Sequence, residues 1–305
     1  MTPPTHGHTV RLLGPDTPLA QVFAFFEADG HAGPAAAWHA FTGTWNWAAP
    51  LATAVPRVGL PGPVARPVPG GYALSGHWRL PSHDGTGTWL ALPLADRTGR
   101  TDGTGGADLF VVSSKVLPGA VRGLPADGGE QEPEPGFRLE NAHVPAGFVT
   151  RATGEPLRAG DAAFLWTAVT ALALGAARRT TDLLAGPASQ GGAGRGAVTA
   201  AELAAVLHDE RQSLAALLHG APSVRQGLAP SVEELLMARV ESGAAAVLHV
   251  VTAAYEWALA SDPGAARHPL VRMAEDSAPI LQQVRFAGQL LPRDDMRSRQ
   301  KGRTR

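Results

Sequence analysis

The spacing of apolar residues changes once along this chain, and that change limits the fold more than any other feature. Before about Asp161 the apolar residues come in short, strand-length runs bounded by Gly and Pro; after it they recur every three, four or seven positions, as on one helix face. With 305 residues, 44% of them hydrophobic and 17% charged, the chain can bury a core of each kind. The pattern predicts an α+β protein, a small antiparallel β domain followed by a four-helix bundle.

In the first half, Ala35–Phe41 has helical spacing and reads as the remnant of a helical layer ending at Pro50. A Gly/Pro-dense approach from Leu51 to Pro69 leads to Gly70-Gly71, with large residues alternating at Tyr72, Leu74, Trp78 and Leu80, which reads as a strand pair. Thr88–Leu94 and Asp108–Val112 have the length of core strands, and Gly136–Pro145 reads as one more strand that a proline ends.

In the second half, two segments carry capping-box patterns, Thr199-x-x-Glu202 and Ser231-x-x-Glu234. The stripes that follow are Leu203, Val206, Leu207, Leu214, Leu217, Leu218, and Leu236, Val240, Ala244, Val247, Leu248, Val251, Tyr255. A last helix is expected from Pro269, a favoured first position, with Leu270, Met273, Ser277, Ile280, Leu281, Val284 and Leu291 on one side. Ala162 to Ala177 is an Ala-rich apolar run, shorter than the ~20 residues that cross a bilayer, and reads as a buried helix. The expected organisation is a short helical remnant over 1–50, a β domain over 51–150, a helical bundle over 151–292 and a basic tail over 293–305.

The chain has no cysteine, so no thiolate nucleophile, disulfide or Cys-held metal is available to it. Six of its 26 basic and two of its 27 acidic residues stand in the last thirteen positions, which leaves 20 against 25 in the body. A mildly acidic body with no coherent basic face before the tail argues against nucleic acid as a partner. His6 and His8 are too few ligands to fix a metal, so no metal is expected. The first residues lack a basic stretch followed by an apolar one, and the expected location is the cytoplasm, with no membrane partner.

Gly70-Gly-Tyr-x-Leu-Ser-Gly-x-Trp-Arg-x-x-Ser82, then Val144-Pro145, Leu174-Gly-Ala-Ala-Arg178 and His268-Pro-Leu-Val-Arg272 stand in an order that resembles the acyl-CoA dehydrogenase superfamily. Within it the two-component flavin monooxygenase branch is the most similar. The resemblance covers about Ala35 to Leu291 and lies in the order of its parts. It implies a flavin, FAD or FMN, against the β domain and bundle, with a neighbouring subunit completing the pocket. On that pattern Ser82 contacts the isoalloxazine ring and Arg178 and Arg285 meet cofactor phosphates; Trp78, with Trp89, is a candidate to wall a flavin or substrate. A small organic or acyl-thioester substrate, a homo-oligomer or a heteromer with a full-length homologue, and a flavin reductase partner are the further expectations.

The chain also departs from that pattern. Only 50 positions precede the β region, so the family's N-terminal helical domain is largely missing; Met273-Ala-Glu-Asp276 has no following His; and His83-Asp84 replaces a small residue. No carboxylate aligns as a dehydrogenase base, although Glu241 and Glu256 lie on the right kind of helix. These departures keep a second expectation in view, a flavin-free homologue acting as partner subunit or scaffold.

Read from the residues alone, each candidate has an ordinary alternative. Ser82 also suits a turn before Asp84-Gly85, and Trp78 and Trp89 suit a sheet core. His83 and Asp84 resemble a base and its orienting carboxylate, although sequence neighbours rarely bond productively. Arg178, Arg179 and Arg285 also suit helix-face pairs with Asp182 or Glu275. His208-Asp-Glu-Arg211 reads as an exposed charged face, and His249 as a buried, satisfied histidine.

Overall fold

A computed structural model describes residues 13, 17–79, 89–94, 108–113, 136–151, 154–186, 195–221, 223, 228–261 and 268–290. The chain divides into two compact units, one helical, running to Ala40 and again over Gly160–Gln289, and one β-rich, over Phe41–Ala159. Helices and sheets both occur, as an α+β protein requires.

The helical unit is built around α3 (Ala162–Ala185), whose residues from Phe164 to Ala177 are all buried. A helix apolar on every side is stable only when enclosed, and α1 (Leu19–Ala32), α4 (Arg195–His219) and α5 (Pro230–Ser261) pack against it. α1 buries Leu19, Val22, Phe23, Phe26, Glu27 and Gly30, a spacing of three and four along one face. Its carboxyl end is closed by the Gly33 amide donating to Asp29 O at 3.0 Å, and α2 (Pro34–Thr44) starts at once with proline at its first position.

Two glycines let α1 and α3 approach closely. A Cβ at Gly175 would stand 2.1 Å from Glu27 O, and one at Gly30 2.3 Å from Leu172 O. Each helix thus brings its missing side chain against the other's backbone.

The capping-box expectation fails at both places. α4 begins at Arg195, so Thr199 is already inside the helix; α5 begins at Pro230, with the Val232 and Glu233 amides donating to Ala229 O, so Ser231 is its second residue. The stripes shift correspondingly. Val206, Leu248 and Tyr255 are exposed, whereas Met237, Gly243, Val250, Ala254 and Ala258 are buried on α5. α5 is also the one helix among the described residues that is long and apolar enough to cross a membrane; its inner face belongs to this core.

The last helix, α6 (Pro269–Leu290), starts where its proline predicts. His268 caps it: the Leu270 amide donates to His268 Nδ1 at 3.2 Å, the bond an Asn or Ser cap would accept. Trp166 Nε1 on α3 donates to Ala287 O near the other end, at 2.9 Å.

The β unit has two main sheets. β4 (Val64–Val68) and β5 (Gly71–Arg79) form a hairpin turning at Pro69 and Gly70. β8 (Gly136–Pro145) lies antiparallel along the other edge of β5, with an irregularity between Leu74 and Gly76. β3 (Val55–Pro56) follows β4 on the first edge. The second sheet runs β2 (Ala52–Thr53), β6 (Trp89–Pro93), β7 (Asp108–Ser113), β9 (Val149–Arg151). Two edge pairs are parallel, β2 with β6 and β1 (Trp45–Asn46) with β10 (Glu155–Pro156), so the unit is mixed rather than purely antiparallel.

Aromatic contacts hold the β unit together. Tyr72 on β5 meets Phe110 on β7 edge-on at 5.4 Å and so joins the two sheets, Trp78 stacks at 5.8 Å on Phe137, its cross-strand partner on β8, and Trp89 on β6 stacks at 5.4 Å on Phe148, in the turn before β9. Such rings supply much of the area that a small sheet core can bury.

Candidate functional site

Trp78, expected as a wall of the cofactor site, is a core residue instead. It is 0% exposed, its Nε1 donates to Pro93 O at 3.0 Å and its ring lies on Phe137. The alternation along β5 explains this, since Tyr72, Leu74 and Trp78 share the inward face. Ser82, His83 and Asp84 follow the end of β5 and, like His6 and His8, lie outside the described residues.

Arg178 lies on α3 and donates to Glu27 Oε1 on α1 at 2.8 Å. Arg211 on α4 reaches the same carboxylate oxygen through Nε. Glu27 is buried, so a single carboxylate inside the unit is shared by two guanidiniums, a cluster with a net charge of +1. An unpaired buried carboxylate is expensive, and charge-assisted bonds from arginine are the usual remedy. Each arginine keeps about a third of its side chain exposed, 38% in both cases, with donor groups left for a further acceptor.

The neighbouring charges extend this network. Arg179 donates to His31 O at 3.0 Å and Ala32 O at 2.7 Å, covering the carbonyls that end α1. His31 Nε2 meets Asp182 Oδ2 at 2.7 Å. The quartet from His208 to Arg211 is split: His208 and Asp209 are exposed, while Glu210 Oε1 accepts from Ser242 Oγ on α5 at 2.6 Å and Arg211 turns to Glu27. His249, expected to be buried, is exposed. Arg178 and Asp182, which helix spacing would pair, each bond to α1 instead.

Arg285, on α6, is exposed and lies over the Phe286 ring at 5.7 Å. Tested against the flavin that the resemblance implies, Trp78 does not fit, because no part of it is accessible. Arg178 is partly exposed and Arg285 exposed, so neither is closed off as Trp78 is.

Glu27 was missed on sequence because α1 was. The signal was nevertheless present in Leu19, Val22, Phe23, Phe26 and Gly30, an apolar spacing that only the glutamate interrupts.

No family model and no curated protein matches the chain. Solved structures do. XiaF from Streptomyces sp., in complex with FADH2 and glycerol, is 16% identical at a TM-score of 0.41, with 93% of this chain and 83% of that chain covered. The 3-HSA hydroxylase from Rhodococcus sp. RHA1 is 15% identical at 0.36, covering 89% and 80%. TdsC from Paenibacillus sp. A11-2, with FMN and indole, is 14% identical at 0.38, covering 88% and 79%. Superpositions this loose carry no argument about chemistry, and the resemblance to acyl-CoA dehydrogenase-type flavoproteins stands on the residues of the chain itself.

Proposed function

We propose that this protein is a flavin-dependent oxidoreductase of the acyl-CoA dehydrogenase type. The reading places it in the cytoplasm, acting on a small organic or acyl-thioester substrate by dehydrogenation or by hydroxylation with reduced flavin and oxygen. One observation supports it above the rest: motif residues far apart in sequence are parts of the same contacts. Gly71 pairs with Pro145 across the β5–β8 ladder, and a Cβ at Gly71 would stand 2.2 Å from Val144 O, so the Gly-Gly and Val-Pro elements need each other. Similarly, Gly175 and Arg178 of the Leu-Gly-Ala-Ala-Arg element meet the backbone and the carboxylate of Glu27.

The flavin, when bound, would supply the two-electron chemistry that no side chain offers. The chain's own residues would hold it. Ser82, three positions beyond the end of β5, is the proposed ring contact through hydroxyl or amide, and Arg178 and Arg285 are the proposed phosphate partners. FAD and FMN both suit two cations. A second copy or a longer homologue would complete the pocket, and a reductase would deliver reduced flavin in the hydroxylase case.

A specific observation also favours the second reading, a flavin-free partner subunit: Trp78 is wholly enclosed and Arg178 already serves Glu27. Reoxidation of reduced FAD or FMN in air, followed in stopped flow with increasing protein, separates the two. A saturable change in rate supports the oxidoreductase; a rate indifferent to the protein supports the partner subunit.

A further inference from the structure

The outward face of the sheet built on β5 carries one sign of charge. Directly opposed residues of antiparallel strands share a face. Leu74 and Trp78 are fully enclosed, so Ala73, Ser75, His77 and Arg79 alternate onto the other face, where Ala73 is itself buried and the other three are part-exposed. The registers Ala73 with Arg66 and His143, and His77 with Arg138, add three cationic or titratable residues to that face. Arg57 joins them, its amide donating to His77 O at 3.0 Å. The chain as a whole has a net charge of −1. Yet this face sets Arg57, Arg66, Arg79, Arg138, His77 and His143 against one described acid, Glu140, which pairs with Arg138. It is the coherent basic face that the sequence did not reveal, because its members come from four separate segments.

Arg57, His77 and Arg138 form a single rung across three strands. Adjacent strands lie ~4.8 Å apart, so the three side chains start within about 10 Å of one another. Like charges directly opposed weaken a ladder, and nothing in the core calls for them, since all three lie on its outer side. His77 Nδ1 is buried without a hydrogen-bond partner among the described residues. Burial lowers the pKa of His77, as do Arg138 and Arg57, with Glu140 acting the other way.

A compact anion would offset the like charges of the rung, by neutralising Arg57 and sharing Arg138 with Glu140. We propose that the rung Arg57, His77 and Arg138 is a binding site for a small dianion of the phosphate class, free or as a phosphomonoester. Each guanidinium offers paired N–H groups to phosphate oxygens, and His77 offers its other ring nitrogen, Nε2, since Nδ1 is enclosed. The ligand is small rather than a nucleic acid strand, because no aromatic among the face's described residues offers a base a stacking surface. The site shares no residue with the proposed flavin contacts and is independent of them.

The test uses the full chain. Inorganic phosphate, sulfate and glycerol 3-phosphate are titrated by calorimetry, and the imidazole resonance of His77, assigned with His77→Gln, is followed by NMR against pH with and without sulfate. Expected are saturable binding, a His77 pKa raised by sulfate, and at least a tenfold loss of affinity in the Arg57→Gln/Arg138→Gln double variant, with Arg239→Gln on α5 unchanged. Tighter binding of glycerol 3-phosphate than of phosphate makes the ligand an ester; equal binding makes it the free anion. The proposal is overturned by titrations that do not saturate, by an unaltered affinity in the double variant, or by an oligothymidylate that binds far more tightly than phosphate and depends equally on Arg66.

Discussion

Glu27 and Arg178 are 151 residues apart and meet at 2.8 Å, tying α1 to α3, the most enclosed helix among the described residues. Arg211 shares the same carboxylate. Removing the acid leaves two guanidiniums facing each other, whereas removing one arginine leaves the acid a partner. Glu27→Ala is therefore expected to cost about 3 kcal/mol and Arg178→Ala about half of that. Urea unfolding of both variants measures the order, and equal losses would mean that the two arginines do not share the load.

The closest approach of α1 and α3 gives a second prediction. Gly175→Ala places a methyl group 2.1 Å from Glu27 O, where backbone rather than a flexible side chain must move. A loss of about 1–3 kcal/mol, the usual range for overpacking, is expected in denaturant unfolding. Gly43→Ala is the control, since a Cβ there meets nothing within 4 Å.

His268 caps α6 through Nδ1, so its replacement by Asn should retain the cap and its replacement by Ala should lose it. The expected difference between the two variants is about 1 kcal/mol. Thermal unfolding of the pair decides it, and no difference would show that Pro269 alone starts the helix.

His77 sets a pH dependence with a definite sign. Its pKa is lowered in the fold from 6.5, so the unfolded chain takes up the proton first. Its contribution to stability is complete above 6.5 and is lost as the pH falls through the lowered value. His77→Gln should flatten the acid side of the stability curve in that window, measured by unfolding at a series of pH values. An unchanged curve would mean that neither burial nor Arg138 and Arg57 act on the imidazole.

Much of the fold was legible in short apolar runs with turn chemistry at each end, as at Trp89–Pro93, Asp108–Ser113 and Gly136–Pro145. What was not legible depended on tertiary context. Thr199 and Ser231 have the chemistry of caps, but the residues before them carry the helix further back, and Pro230 is the stronger starter. Leu248 and Tyr255 fit a helical stripe by spacing, yet Val250, Ala254 and Ala258 form the face that is buried. Trp78 is an expected cofactor contact although strand spacing favours a core residue, and the pairing with β8 shows it against Phe137. The partner of Arg178 was unreadable because Glu27 stands in a helix whose stripe it interrupts.

A visible absorption titration of the purified protein with FAD and with FMN tests the central claim most directly. The account predicts a saturable shift of the flavin bands with a dissociation constant near the micromolar range, about −8 kcal/mol, weakened at least tenfold in Ser82→Ala or Arg178→Ala. Spectra that stay those of free flavin at millimolar concentration would contradict it.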